Sequence, residues 1–235
     1  MFNISKDKIS KSEIIRYLGY PDGNIDLQTD KLIDLWIDKC LEKITPRFTF
    51  IDLIPIFDLE NNTVLFDGTN LILNGKSIFD HLMGSTNIVC FAATLGADIE
   101  KEIRFLSYSE ITSSVIADAV CSEIVEVVCD MVEIEIKNNP RLANLESTSR
   151  FSPGYGDLPI DIQSDIINLL DASKKIGLTC TQNNLLIPRK SVTAFIGFSE
   201  NFSDRTSTKT CSLCSIKDKC NLKKAGKYCG YKKNN

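Results

Sequence analysis

The stretch RFSPGYGDLP, residues 150–159, joins the two halves of the chain: helical patterns run up to it, and a helix and the last strands follow it. It packs one arginine, two prolines, two glycines and a tyrosine into ten positions. Pro153 fixes the backbone ahead of Gly154, and Gly154 lets another group approach the main chain with no Cβ in the way. Tyr155 adds a flat face and a hydroxyl. A helix is predicted from Pro159, and backbone N–H groups at a helix start favour an anion. Asp157 or a neighbour is the expected cap of that helix. Arg150 supplies a forked cation suited to a carboxylate. Composition alone favours a plainer reading, a structural turn in which Arg150 pairs with an acidic neighbour.

Outward from this joint, periodicity predicts the other elements. SKSEIIRYLG reads as a short helix stopped at Gly19, and TDKLIDLWIDKCLEKI as a helix ended before Pro46. RFTFIDLIPIFDL, NTVLF and NLILNG form an expected antiparallel meander. SIFDHLM is a short helix and NIVCFAATLG a buried strand. Residues 96–138 are helical with a break expected near Ser107–Ser109. There, Ile116, Val120, Ile124, Val127, Val128 and Met131 form a core stripe. Beside it Glu123, Glu126, Asp130 and Glu133 form an acidic stripe. IDIQSDIINLLDASKKIG reads as one helix ended by Gly177, and GLTCTQNNLLIPRKSVTAFIGF as closing strands. The expected class is α+β, with a mixed, largely antiparallel sheet, packed helices and a small cysteine-rich C-terminal tail.

The chain has 235 residues, 43% hydrophobic and 25% charged, which suits a globular body rather than disorder. No apolar run reaches the roughly 18 residues of a membrane span, and the start MFNISKDKIS lacks the apolar core of a signal peptide. A cytoplasmic protein is expected. Nine cysteines then read as thiols or metal ligands rather than disulfides. Cys40, Cys90, Cys121, Cys129 and Cys180 are scattered through apolar stretches and read as small core hydrophobes.

The remaining four cluster in CSLCSIKDKCNLKKAGKYC, placing Cys211, Cys214, Cys220 and Cys229 within nineteen residues. Four thiolates suit tetrahedral zinc or an iron–sulfur cluster. Residues 205–235 carry nine Lys or Arg and one acid, a net +8, which leaves −12 on the rest of a chain whose total is −4. That asymmetry marks a boundary after residue 200 and sets a domain at 1–200 (helices and strands 1–90, core 90–200) apart from a basic tail at 205–235. A basic, metal-bearing tail also fits a nucleic-acid-binding regulatory protein. The tail offers only Tyr228 and Tyr231 for base stacking, which argues against nucleic acid as partner.

RFSPGY, followed by a helix and then IGLTCTQNNLLIPRKSVTAFIGF, resembles the activation (reactivation) domain of cobalamin-dependent methionine synthase over roughly residues 90–200. The family's Arg-x-x-x-Gly-Tyr motif of the S-adenosylmethionine site is matched by Arg150, Gly154 and Tyr155, with Ser152 between them. Phe202 stands nearest the position of the family's late tyrosine. After Tyr155 the chain departs from the family's Pro-Ala-Cys-Pro type sequence with Gly156, Asp157, Leu158 and Pro159.

The resemblance implies reductive methylation of cob(II)alamin, with S-adenosylmethionine as methyl donor and the cobalamin held by a partner. It implies a stand-alone subunit that acts on a cobalamin-binding methionine synthase subunit or another corrinoid protein. A flavodoxin- or ferredoxin-like donor would supply the electron. S-adenosylmethionine carries a carboxylate, an ammonium and a sulfonium, so its site needs a cation and at least one acid. Arg150 is the expected cation, and Asp118 or Glu126 the expected acid by position relative to the family. For any single acid, a solvated helix face is the plainer reading. No general base is implied, because the cofactor carries the chemistry.

Overall fold

The computed structural model describes residues 4–20 and 23–202. The chain begins with helices α1 (Lys11–Tyr17) and α2 (Leu27–Lys43). Strands β1 (Arg47–Leu53), β2 (Pro55–Asp58), β3 (Thr63–Phe66) and β4 (Ile72–Asn74) follow. Next come α3 (Lys76–Leu82), β5 (Asn87–Thr94), α4 (Ala97–Ser109) and α5 (Ile111–Lys137). After β6 (Glu146–Ser147), α6 (Gln163–Leu170) and α7 (Ala172–Ile176), the body closes with β7 (Thr179–Cys180), β8 (Leu186–Ile187) and β9 (Ser191–Ser199). The α+β expectation holds.

The main sheet has the order β1–β5–β9–β6, with every neighbour antiparallel. β5 lies inside it, and its residues from Ile88 to Thr94 are all buried. Alternation sends Val89, Phe91 and Ala93 to one core and Ile88, Cys90 and Ala92 to the other. A strand covered on both faces therefore reads as an unbroken apolar run. The first core lies under α1, α2, α4 and α5; the second lies under α3, α6, α7 and a small sheet. α5 has 27 residues and spans about 40 Å, long enough to cross the whole sheet. Ile116, Val120, Ile124 and Val128 face the core as predicted. No helix among the described residues is long and apolar enough to cross a membrane.

Two local expectations are corrected and one is located. The predicted meander is really β2–β3–β4, because β1 leaves it to pair with β5 along Arg47–Leu53. Pro55 has no N–H to extend that ladder, so the chain changes sheets there. The helix break expected near Ser107–Ser109 falls at Glu110, directly after Ser109. Ser107 and Ser109 donate their hydroxyls back to the Arg104 and Phe105 carbonyls and stay helical. Finally, the helix predicted to run to Gly177 is a 3₁₀ turn at Ile160–Ile162 followed by two helices. They are broken where Asp171 takes a left-handed φ of 50°.

Cys40, Cys90, Cys121 and Cys129 are buried and Cys180 is half-buried, as expected of core hydrophobes. Burial holds the Cys90 and Cys129 thiols protonated at neutral pH. The four tail cysteines, and the segment 205–235 with them, lie outside the described residues. Among the described residues, no group of three or more His, Cys, Asp or Glu side chains is placed to hold a metal ion.

Candidate functional site

Phe151 forms an isolated antiparallel bridge to Phe195 of β9, exchanging main-chain hydrogen bonds of 3.0 and 2.9 Å. Two residues later Pro153 has no N–H to donate, so the pairing ends and residues 152–158 loop away from the sheet. The loop folds on itself. The Gly154 N–H donates to the Leu158 carbonyl at 2.9 Å and the Leu158 N–H to the Tyr155 carbonyl at 3.0 Å. The Tyr155 N–H donates to the Ser152 carbonyl at 3.1 Å. Gly154 has φ 90°, and a methyl placed there would meet nothing within 4 Å. Its backbone is thus open on one side, as the sequence suggested. Tyr155 is exposed and makes an edge contact with Phe151 at 6.1 Å between ring centroids.

Arg150 points the other way, onto α5. Its Nη1 donates to Asp130 Oδ1 at 2.7 Å and Glu133 Oε1 at 2.6 Å, and its Nη2 to Glu126 Oε2 at 3.0 Å. The three acids fall at i, i+4 and i+7 and so share one face of the helix. Arg150 is 11% exposed, Glu133 17%, Glu126 44% and Asp130 62%, so the pairing grades from a dry inner member to a wet outer one. Burial opposes the charge on Arg150, but Cys129, Glu133 and Asp130 outweigh it and raise the guanidinium pKa. Because the Cys129 thiol stays protonated, the carboxylates carry that effect. One cation among three carboxylates leaves two negative charges in excess, an arrangement that attracts a cationic ligand.

The structure brings Arg150 and Glu126 together and sends Asp118 elsewhere. Asp118 lies eight residues before Glu126 on α5, about 12 Å along the axis. Its Oδ1 accepts from Lys190 Nζ at 2.9 Å. Lys190 also donates to the Asp118 carbonyl and to Ser122 Oγ, which ties the start of β9 to α5. Ser152 contributes the carbonyl described above. Phe202 donates its N–H to Glu146 Oε2 at 3.1 Å, close to the strand end.

Four residues escaped the sequence reading. Asp130 and Glu133 were legible only as part of a solvated stripe, since their pairing with residue 150 is long-range. Asp157 does not cap the helix after it. Its Oδ1 accepts from the Ser77 N–H at 2.9 Å, so it caps α3 from a distance. Tyr17, at the end of α1, has its phenol pKa raised by burial and by Glu126, which puts that helix end beside the same cluster.

No family model matches the sequence, and no curated protein matches it significantly. Among solved structures the chain is similar to a crystal structure of the MetH reactivation domain bound to AdoHcy. The TM-score is 0.63 at 13% identity, covering 94% of this chain and 82% of that one. The chain therefore shares the fold of that reactivation domain.

Proposed function

We propose that the loop Arg150–Tyr155 and the α5 carboxylates bind S-adenosylmethionine, and that the chain supports reductive methylation of a corrinoid held by another protein. One observation carries this reading: in a fold resembling a domain crystallised with AdoHcy, Arg150 sits inside an excess of carboxylate a few residues ahead of an open glycine turn and an exposed tyrosine. S-adenosylmethionine has a net charge of +1, so the excess negative charge complements it. The inner Arg150–Glu133 pair holds the guanidinium in place. Asp130, the most exposed acid, is the one that the ligand carboxylate displaces. Glu126 accepts from the ligand ammonium.

In the proposed reaction one electron reduces cob(II)alamin to cob(I)alamin. The cobalt electron pair then attacks the sulfonium methyl, the S–CH₃ bond breaks, and its electrons remain on sulfur as the thioether of S-adenosylhomocysteine. The chain binds and orients the donor. The corrinoid belongs to a cobalamin-binding methionine synthase subunit or another corrinoid methyltransferase, and a flavodoxin- or ferredoxin-like protein is the electron donor. The chain's single histidine, His81, donates to a main-chain carbonyl, which favours a corrinoid carried by the partner.

The direct test mixes the protein with a cob(II)alamin-loaded methionine synthase lacking its own activation domain, S-adenosylmethionine and a reductant. The cob(II)alamin spectrum should convert to that of methylcobalamin. Conversion at the same rate without this chain overturns the reading, and conversion only on a different corrinoid protein reassigns the partner. Cys211, Cys214, Cys220 and Cys229 are proposed to hold an iron–sulfur cluster, with zinc as the other occupant, on their spacing alone. Anaerobically purified protein should show broad visible absorption or about one zinc per chain. Metal-free, fully active protein removes that assignment.

A further inference from the structure

The ligand loop is held by one short helix at both ends of that helix. At its start, the Ser77 N–H donates to Asp157 Oδ1 at 2.9 Å. At its end, His81 Nε2 donates to the Ser149 carbonyl at 2.7 Å, the peptide group that leads directly into Arg150. The His81 ring lies 5.0 Å from the Phe151 ring, and Phe151 in turn meets the edge of Tyr155 at 6.1 Å. The contact at Gly156 is equally close: a methyl there would lie 2.7 Å from Ser77 Cβ. A methyl at Gly75 would lie 2.6 Å from Asp157 Oδ1. Residues 149–157 are thus fitted against α3 by two hydrogen bonds, a ring contact and two glycine approaches.

From this geometry we infer that His81 is a positioning residue for the ligand site, with α3 as its frame. In this inference His81 acts through the loop rather than on the ligand. It fixes the peptide plane ahead of Arg150, so the guanidinium leaves the loop toward α5 while Phe151 turns to the opposite core. Through Phe151 it also sets the ring of Tyr155, the exposed aromatic surface of the motif. The donor must be Nε2–H, since its partner is a carbonyl. A glutamine amide reaches the same acceptor, whereas alanine does not. The ligand part of this inference rests on the S-adenosyl reading above; the loop part does not.

The test uses the full chain, comparing wild type, His81→Ala and His81→Gln by amide hydrogen exchange and by calorimetry with AdoHcy. His81→Ala should speed exchange at the Gly154, Tyr155 and Leu158 amides while the β5 amides keep wild-type protection. It should weaken AdoHcy roughly tenfold, the worth of one part-buried hydrogen bond. His81→Gln should restore both. Unchanged loop exchange and affinity in His81→Ala overturn the inference, as does a loss that His81→Gln fails to restore. If His81→Ala loosens β5 as well, Asp157→Ala frees the other end of the clamp. Unchanged loop exchange in that variant likewise overturns the inference. A wild type that binds no AdoHcy, with His81→Ala still loosening the loop, overturns the ligand reading and leaves the clamp standing.

Discussion

Arg150 and Glu133 form the inner ion pair of the site, with Nη1 and Oε1 2.6 Å apart and side chains 11% and 17% exposed. At that depth an ion pair is costly to break from one side only, because the surviving charge is left largely out of water. The outer members differ. Asp130 lies 2.7 Å from the same nitrogen, yet its carboxylate is mostly in water. This gradient orders the effects of substitution.

Arg150→Ala leaves three carboxylates facing one another with the inner one desolvated. We expect a stability loss of about 2 kcal/mol, below the full cost of a wholly buried pair because two of the acids reach solvent. Chemical denaturation measures it. S-adenosylmethionine binding should be lost at the same time, and equal affinity in calorimetry would remove Arg150 from the site.

Asp130→Asn and Glu133→Gln separate the roles of the acids. The first should change stability by no more than roughly 0.5 kcal/mol, as exposed pairs do. It should leave S-adenosylmethionine affinity equal or improved, because it frees Nη1 for the ligand carboxylate. Glu133→Gln should weaken both stability and binding. The opposite order would show that Asp130 is a ligand contact rather than the displaced group.

Glu123 predicts a pH effect. It is buried, accepts the Ser10 N–H at 3.0 Å, and has its carboxyl pKa raised above 4.5 by burial, against that hydrogen bond and with help from Glu13, Glu126 and Asp130. A carboxyl raised in the folded state binds a proton that the unfolded chain has already released. Its contribution to stability therefore falls as pH rises from the unfolded pKa through the folded one. Glu123→Gln keeps an acceptor for Ser10 and removes the charge. The variant should melt higher than wild type at pH 7, with the advantage shrinking as pH drops toward 4.5. A constant difference across that range would assign the effect to packing.

Gly154 and Gly156 should respond differently to alanine. Both hold positive φ, 90° and 54°, which costs a residue with a Cβ about 1–2 kcal/mol. Only Gly156 adds an overlap with Ser77, for roughly 1–3 kcal/mol more. Thermal melts should rank Gly156→Ala well below Gly154→Ala. Calorimetry should show the reverse emphasis, with Gly154→Ala the more selective loss of ligand binding.

Much of the architecture was legible along the chain because local patterns carry it. The apolar run Ile88–Ala93 marks a strand covered on both faces, and the 3.6-residue stripe from Ile116 to Val128 marks the helix that covers one of them. The open turn at Gly154 follows from residue types alone. Tertiary structure decided what lies in contact across the chain. Arg150 meets Glu126, Asp130 and Glu133 where the pairing of Phe151 with Phe195 helps turn residue 150 toward α5. Asp157 caps a helix 80 residues upstream instead of the one that follows it, since α3 presents a free N–H at its start and the next helix begins with a 3₁₀ turn. Asp118 and Glu126 look alike in sequence, on one helix among similar neighbours. Lys190, just before β9, claims the first and Arg150, just before the Phe151 bridge, the second, and that choice is set by where these two distant segments bring their cations. Charge pairing depends on distance in space, so the acids were visible in the sequence and their partners were not.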